Sequence, residues 1–134
     1  LYAVDVRSPR HDDAARWLEA TLNGDRRIAL PWQTIGAFVR IATHPRVSER
    51  PLTGAAAFEF VDEWLACDPV WIPPTSERTA RLLADLILRY DVTGNLVTDA
   101  QLAAIALEHG LTVLSTDTDF ARFTEVRWEN PLLR

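Results

Sequence analysis

A chain of 134 residues, 48% hydrophobic and 25% charged, has the size and composition of one ordinary globular domain, which excludes a disordered tail, a collagen-like repeat and a disulfide scaffold. The single cysteine, Cys67, excludes an intrachain disulfide and points to a reducing cytoplasm, and no apolar run nears the roughly 18 residues of a membrane span, so no membrane partner is expected. A formal net charge of -5 argues against a general polyanion binder, and because all 14 basic residues are arginine there is neither a P-loop lysine nor a Schiff-base lysine.

The chain opens in mid-pattern with Leu1-Tyr2-Ala3-Val4 and contains no methionine, so an N-terminal strand lacking its start is expected. Ser8-Pro9 predicts a helix start, with Ala14, Trp17, Leu18 and Leu22 as its apolar stripe and Asn23-Gly24 as its end. Ile28-Ala29-Leu30 is a strand candidate, and Ile35, Phe38, Val39 and Ala42 follow at helical spacing. A polar loop from Thr43 to Pro51 precedes a helix capped by Thr53, which is expected to bury Phe58, Val61 and Leu65 and to stop at Asp68-Pro69. Val70-Trp71-Ile72 reads as a second strand, cut off by Pro73-Pro74. Thr75 or Ser76 starts a helix with Ala80, Leu83, Leu86, Ile87 and Tyr90 on one side, followed by a turn over Asp91 to Leu96. Thr98-Asp99-Ala100-Gln101 has the pattern of a capping box for a helix that ends at His109-Gly110. Thr112-Val113-Leu114 and Val126-Arg127-Trp128 complete the strands.

Strands alternate with helices and no two-residue hairpin signal occurs. The expected architecture is therefore α/β, a mainly parallel central sheet flanked by helices in a three-layer sandwich, as one domain over residues 1–134.

In open α/β sheets ligands gather beyond the carboxyl ends of strands, at strand-to-helix junctions. Asp99 lies in the first turn of a helix, where the dipole and free amides favour the ionised form. Asp117 and Asp119 follow a strand directly, among Ser115, Thr116 and Thr118. Three carboxylates converging without a basic partner would repel one another unless a divalent cation offsets them, and hard carboxylate donors suit Mg²⁺ or Mn²⁺. Each residue also has a plain structural explanation: Asp99 as a helix-start residue, Asp117 and Asp119 as turn residues that bond their own backbone.

The stretch Gly94-Asn95-Leu96-Val97-Thr98-Asp99-Ala100, with Ala103-Ala104-Ile105-Ala106, His109-Gly110 and Leu114-Ser115-Thr116-Asp117-Thr118-Asp119-Phe120, closely resembles the C-terminal half of PIN-domain ribonucleases. Leu1-Tyr2-Ala3-Val4-Asp5 is similar to the tail of that family's opening motif, and Trp32, Phe38-Val39-Arg40 and Thr43-His44-Pro45-Arg46 to its second region. Within that family the chain resembles the VapC-type toxins of bacterial type II toxin-antitoxin modules. The resemblance implies a PIN-like fold and Mg²⁺- or Mn²⁺-dependent endoribonuclease activity on structured RNA such as tRNA, blocked by a small antitoxin. It implies metal-binding roles for Asp99, Asp117 and Asp119, and a hydrogen bond from Thr116 to metal-bound water or phosphate. There are two departures. The family's first aspartate would precede Leu1, and Ala37 stands where the family carries a glutamate, so the chain as given is expected to be weak or inactive alone.

Arg40, Arg46 and Arg50, around His44, are candidates for an RNA-phosphate patch, because guanidinium forks grip phosphate oxygens in pairs. The bland alternatives are solvated surface arginines and, for His44, a turn residue. Cys67 reads as a small buried apolar residue and the tryptophans as core. The apolar faces of the Pro9 to Leu22 and Thr53 to Leu65 helices suit a homodimer contact or an antitoxin helix. Two other functions compete with the nuclease. One is a non-catalytic PIN-like domain that binds antitoxin or RNA. The other is a phosphatase-like reading of Asp117-Thr118-Asp119, which fails on the motif's C-terminal position and the missing lysine.

Overall fold

The computed structural model describes residues 10–46 and 50–132. The opening motif at residues 1–5 and the Ser8-Pro9 helix start lie outside the described residues. The chain divides into two compact units, Leu1–Ile72 and Pro73–Arg134.

In the first unit the order is α1 (His11–Leu22), β1 (Ile28–Ala29), α2 (Trp32–Ala42), α3 (Gly54–Leu65) and β2 (Val70–Trp71). β1 and β2 run parallel with Ile28 opposite Val70 and Ala29 opposite Trp71, as expected of strands joined by helices, since a parallel return needs a crossover of a dozen or more residues. Ile28 N donates to Pro69 O and Leu30 N to Trp71 O, both at 2.8 Å. Thr53 caps α3 as predicted, its hydroxyl accepting from Ala56 N at 3.1 Å. The core holds Ile35, Phe38, Ala42, Ala57 and Val61, with Phe38 edge-on to Trp64 at 4.9 Å. Two predicted core residues lie outside it. Phe58 is 44% exposed and Trp32 is 70% exposed: Ala57 and Val61 occupy the inward face of α3, which turns their neighbour Phe58 outward.

In the second unit the order is α4 (Glu77–Tyr90), α5 (Leu96–His109), β3 (Val113–Leu114), a 3₁₀ turn η1 (Thr118–Arg122) and β4 (Trp128–Glu129). β3 and β4 are again parallel, with Val113 opposite Trp128. Here η1, a turn that hydrophobic periodicity does not reveal, occupies the crossover. The expected Val126 strand residue instead buries its side chain, and pairing begins two residues later. The capping box belongs to α4, where Ser76 and Thr79 satisfy each other's backbone. It does not belong to Thr98: α5 begins at Leu96 after Asn95, so Thr98 is already inside the helix. Ala80 is exposed, and Leu82 joins the core margin in its stead. Gly94 (φ +60°) makes the turn into α5 and Gly110 (φ +66°) closes that helix, both in the left-handed region that glycine enters without steric penalty. Ala103, Ala104, Ile105 and Ala106 are buried in succession, so the middle of α5 is enclosed on all sides. Its small side chains let α4 pack closely against it.

Candidate metal centre

The site is built on the second unit by the start of α5 and the chain leaving β3. After Leu114 the backbone bends: Ser115 Oγ accepts from Asp117 N at 3.0 Å, and Asp117 Oδ1 accepts from Asp119 N at 2.9 Å, capping η1. Trp128 on β4 donates its Nε1–H to Ser115 O at 2.9 Å, fixing the bend from the neighbouring strand. Phe120 and Phe123 are 2% and 1% exposed and anchor η1 in the core. The turn reading of Asp117 is therefore correct, and it leaves the residue free to serve as a ligand as well.

Asp99, Asp117 and Asp119 each offer one carboxylate oxygen, and these oxygens lie within 4.8 Å of one another. Three hard oxygen donors at this spacing, with no sulfur or imidazole among them, fit a divalent cation that completes its shell with water or substrate. The Asp99 carboxyl is held above its ordinary pKa, first by burial and then by the negative charges of Asp117 and Asp119, with Arg122 pulling the other way. This corrects two expectations. The helix dipole does not dominate at Asp99, because burial and like charges outweigh it. The cluster also has a cationic neighbour, Arg122 on η1, which the motifs do not single out. The signal for it is its spacing: in a 3₁₀ turn residues three apart eclipse, so Arg122 follows Asp119 on one face.

Thr116 sits half-buried in the bend, next to Asp117. Arg40, Arg46 and Arg50 belong to the first unit and are exposed, Arg40 in the last turn of α2. His44 accepts from Arg46 N through Nδ1 at 3.0 Å, a turn contact of the kind the bland reading proposed. Ala37 is half-buried on α2. Cys67 is only partly buried, its thiol donating to Glu63 O at 3.3 Å. It lines a 290 Å³ groove between α1 and α3 with Leu18, Leu22, Phe60 and Trp64. No helix among the described residues is long and apolar enough to cross a membrane.

The profile of the family described as PIN domain matches residues 1–126. Ribonuclease VapC37 of Mycobacterium tuberculosis (strain ATCC 25618 / H37Rv) is 40% identical over 131 residues, which are 98% of this chain and 91% of the relative. Ribonuclease VapC33 of Mycobacterium tuberculosis (strain CDC 1551 / Oshkosh) is 39% identical over 132 residues, 98% of this chain and 92% of its own. Among solved structures, VapBC-1 from nontypeable Haemophilus influenzae superposes with a TM-score of 0.64, covering 91% of this chain and 90% of that one at 13% identity. At that identity the likeness is one of fold.

Proposed function

The chain belongs to the PIN-domain family, among the VapC ribonucleases, and from that premise we propose that it is a metal-dependent endoribonuclease toxin acting on structured RNA such as tRNA and restrained by a VapB-type antitoxin. The observation that carries the reading is the convergence of Asp99, Asp117 and Asp119. These three residues would hold Mg²⁺ or Mn²⁺ through carboxylate oxygens. When bound, such an ion polarises the scissile phosphate and lowers the pKa of a bound water.

The remaining work belongs to the chain itself. α5 packs into the core and carries Asp99 in its first turn, while the Ser115–Asp117–Asp119 hydrogen bonds order the bend and fix the Asp117 carboxylate. A preorganised acidic pocket of this kind needs little rearrangement when charge is neutralised. The Thr116 hydroxyl is assigned to hydrogen bonding with the phosphate or the water beside it. Arg40, Arg46 and Arg50 are assigned to RNA phosphates. The apolar groove between α1 and α3 is assigned to a partner, either an antitoxin helix or a second copy of the chain.

The test is cleavage of labelled tRNA in Mn²⁺, with and without EDTA, by antitoxin-free protein bearing its natural N-terminus. Discrete products that vanish with EDTA and in Asp99→Asn support the enzyme. No cleavage of any of several RNAs by the folded protein overturns it and leaves a PIN-like binding module. For the arginine patch, the triple change of Arg40, Arg46 and Arg50 to alanine should make the salt dependence of RNA binding shallower, the slope falling by roughly one for each phosphate these arginines neutralise. An unchanged slope removes these residues from the interface.

A further inference from the structure

We propose that Arg122 is a substrate-binding residue of the site, its guanidinium gripping a phosphate oxygen of the RNA next to the cation held by the three aspartates. The inference rests on the ribonuclease reading and deepens it.

The geometry of η1 carries it. In a 3₁₀ turn three residues make one revolution, so side chains separate into faces by threes. Phe120 and Phe123 form one such pair, and both are buried. That fixes the rotation of the turn, and the next pair, Asp119 and Arg122, must share a different face. Asp119 already contributes an oxygen to the acidic cluster, so Arg122 is presented on the same side as that carboxylate, one turn further on.

Two observations agree with this placement. The charge of Arg122 is felt at Asp99, on another helix, where it opposes the effect of burial and of the two neighbouring carboxylates. Two other arginines of the unit have their own occupation: Arg89 binds Glu125 and Arg127 donates to Gly110 O at 2.9 Å. Arg122 is exposed, and among the described residues no hydrogen bond or ion pair holds its guanidinium. A cation beside a cation site weakens metal binding by repulsion. Its presence there is useful only to an anion that arrives with the metal, and a phosphodiester with two non-bridging oxygens is such an anion, one oxygen for the metal and one for the guanidinium fork.

This arrangement makes opposite predictions for the two ligands. In Arg122→Ala, tRNA binding measured in Ca²⁺ should weaken by about tenfold with a salt slope shallower by roughly one. Mn²⁺ binding measured by calorimetry without RNA should tighten a few-fold. In Arg122→Lys the Mn²⁺ affinity should stay at the wild-type value while RNA binding recovers only in part, because the charge returns without the fork. In the cleavage assay the loss in Arg122→Ala should fall mainly on KM. Weakening of both ligands together would mean that Arg122 merely supports the fold of η1, and unchanged RNA binding would place it off the substrate path; either result overturns the inference. A wild-type protein that neither cleaves nor binds RNA removes the ribonuclease reading itself, an outcome distinct from a wild type that cleaves beside an Arg122→Ala that cleaves equally well.

Discussion

The two units use the same device, a two-residue parallel ladder beside apolar helices, but they fill their interiors differently. In Leu1–Ile72 the bulk comes from the helices themselves: Ile35 and Phe38 on α2, and Val61 with Trp64 on α3. In Pro73–Arg134 the central helix contributes mostly alanine, and two phenylalanines arrive from η1 and its end, Phe120 and Phe123. The difference matters because η1 also carries Asp119 and Arg122. In the second unit the segment that fills the core is the segment that shapes the acidic cluster, whereas in the first unit the core residues and the exposed arginines are separate sets of side chains. Packing and the acidic cluster are therefore coupled in the second unit, whereas in the first the packing residues and the exposed charges are separate.

The largest expected effect isolates the cluster from the packing. Asp99→Asn should reduce Mn²⁺-dependent cleavage by at least about a hundredfold, the scale seen when the ligand environment of a metal is disrupted. The same change should leave the melting temperature at pH 7 equal to or above that of the wild type, because it removes a carboxylate whose ionisation is opposed by burial and by Asp117 and Asp119. A large loss of stability in Asp99→Asn would show that the ionised carboxylate serves the fold rather than a metal.

The coupling itself is tested one step down in magnitude. Phe123→Ala and Phe38→Ala should each cost about 3–5 kcal/mol in urea unfolding. Only Phe123→Ala should also weaken Mn²⁺ binding, since it loosens the turn that aims Asp119. Equal metal affinity in the two variants, measured where both are folded, would break the contrast between the units.

The three carboxylates are visible in the sequence because they stand at places where chain direction changes, after a strand and at a helix start, and such places are marked by hydroxyls, glycine and aspartate. The helices are legible from spacing, and Thr53 as a cap from its chemistry. Less legible is everything decided by rotation or by three-dimensional competition. The side of α3 that faces inward follows from tertiary fit, so spacing alone puts Phe58 on the wrong side. The capping-box pattern points to Thr98 because Ser76-Glu77-Arg78-Thr79 lacks the glutamate or glutamine at its last position, although a threonine hydroxyl there does the same work. Arg122 escapes notice because a 3₁₀ turn five residues long has no hydrophobic period to announce it.

The smallest effect concerns the other end of α5, and it sets two carboxylates of one helix against each other. A helix dipole alone would lower the pKa of Asp99, in the first turn, and raise that of Glu108, in the last. The structure reverses both. Glu108 accepts hydrogen bonds from the hydroxyls of Ser76 and Thr79, which hold its carboxyl below the usual range, with His109 and Arg78 adding to the effect. Because its folded pKa is depressed, Glu108 contributes stability that is present above its ordinary pKa and is lost as pH falls through the folded value. Asp99 has the opposite sign: its raised pKa means that the folded chain takes up the proton more readily, so its contribution is present at low pH and is lost as pH rises through the folded value. Melting curves of Glu108→Gln should therefore fall slightly below the wild type at neutral pH and converge with it in acid. Those of Asp99→Asn should lie level with or above the wild type at neutral pH and lose that advantage in acid. Difference curves with the two signs exchanged, Asp99→Asn below the wild type at neutral pH and Glu108→Gln level with or above it, would mean that the dipole, and not the local hydroxyls and neighbouring charges, governs ionisation along α5.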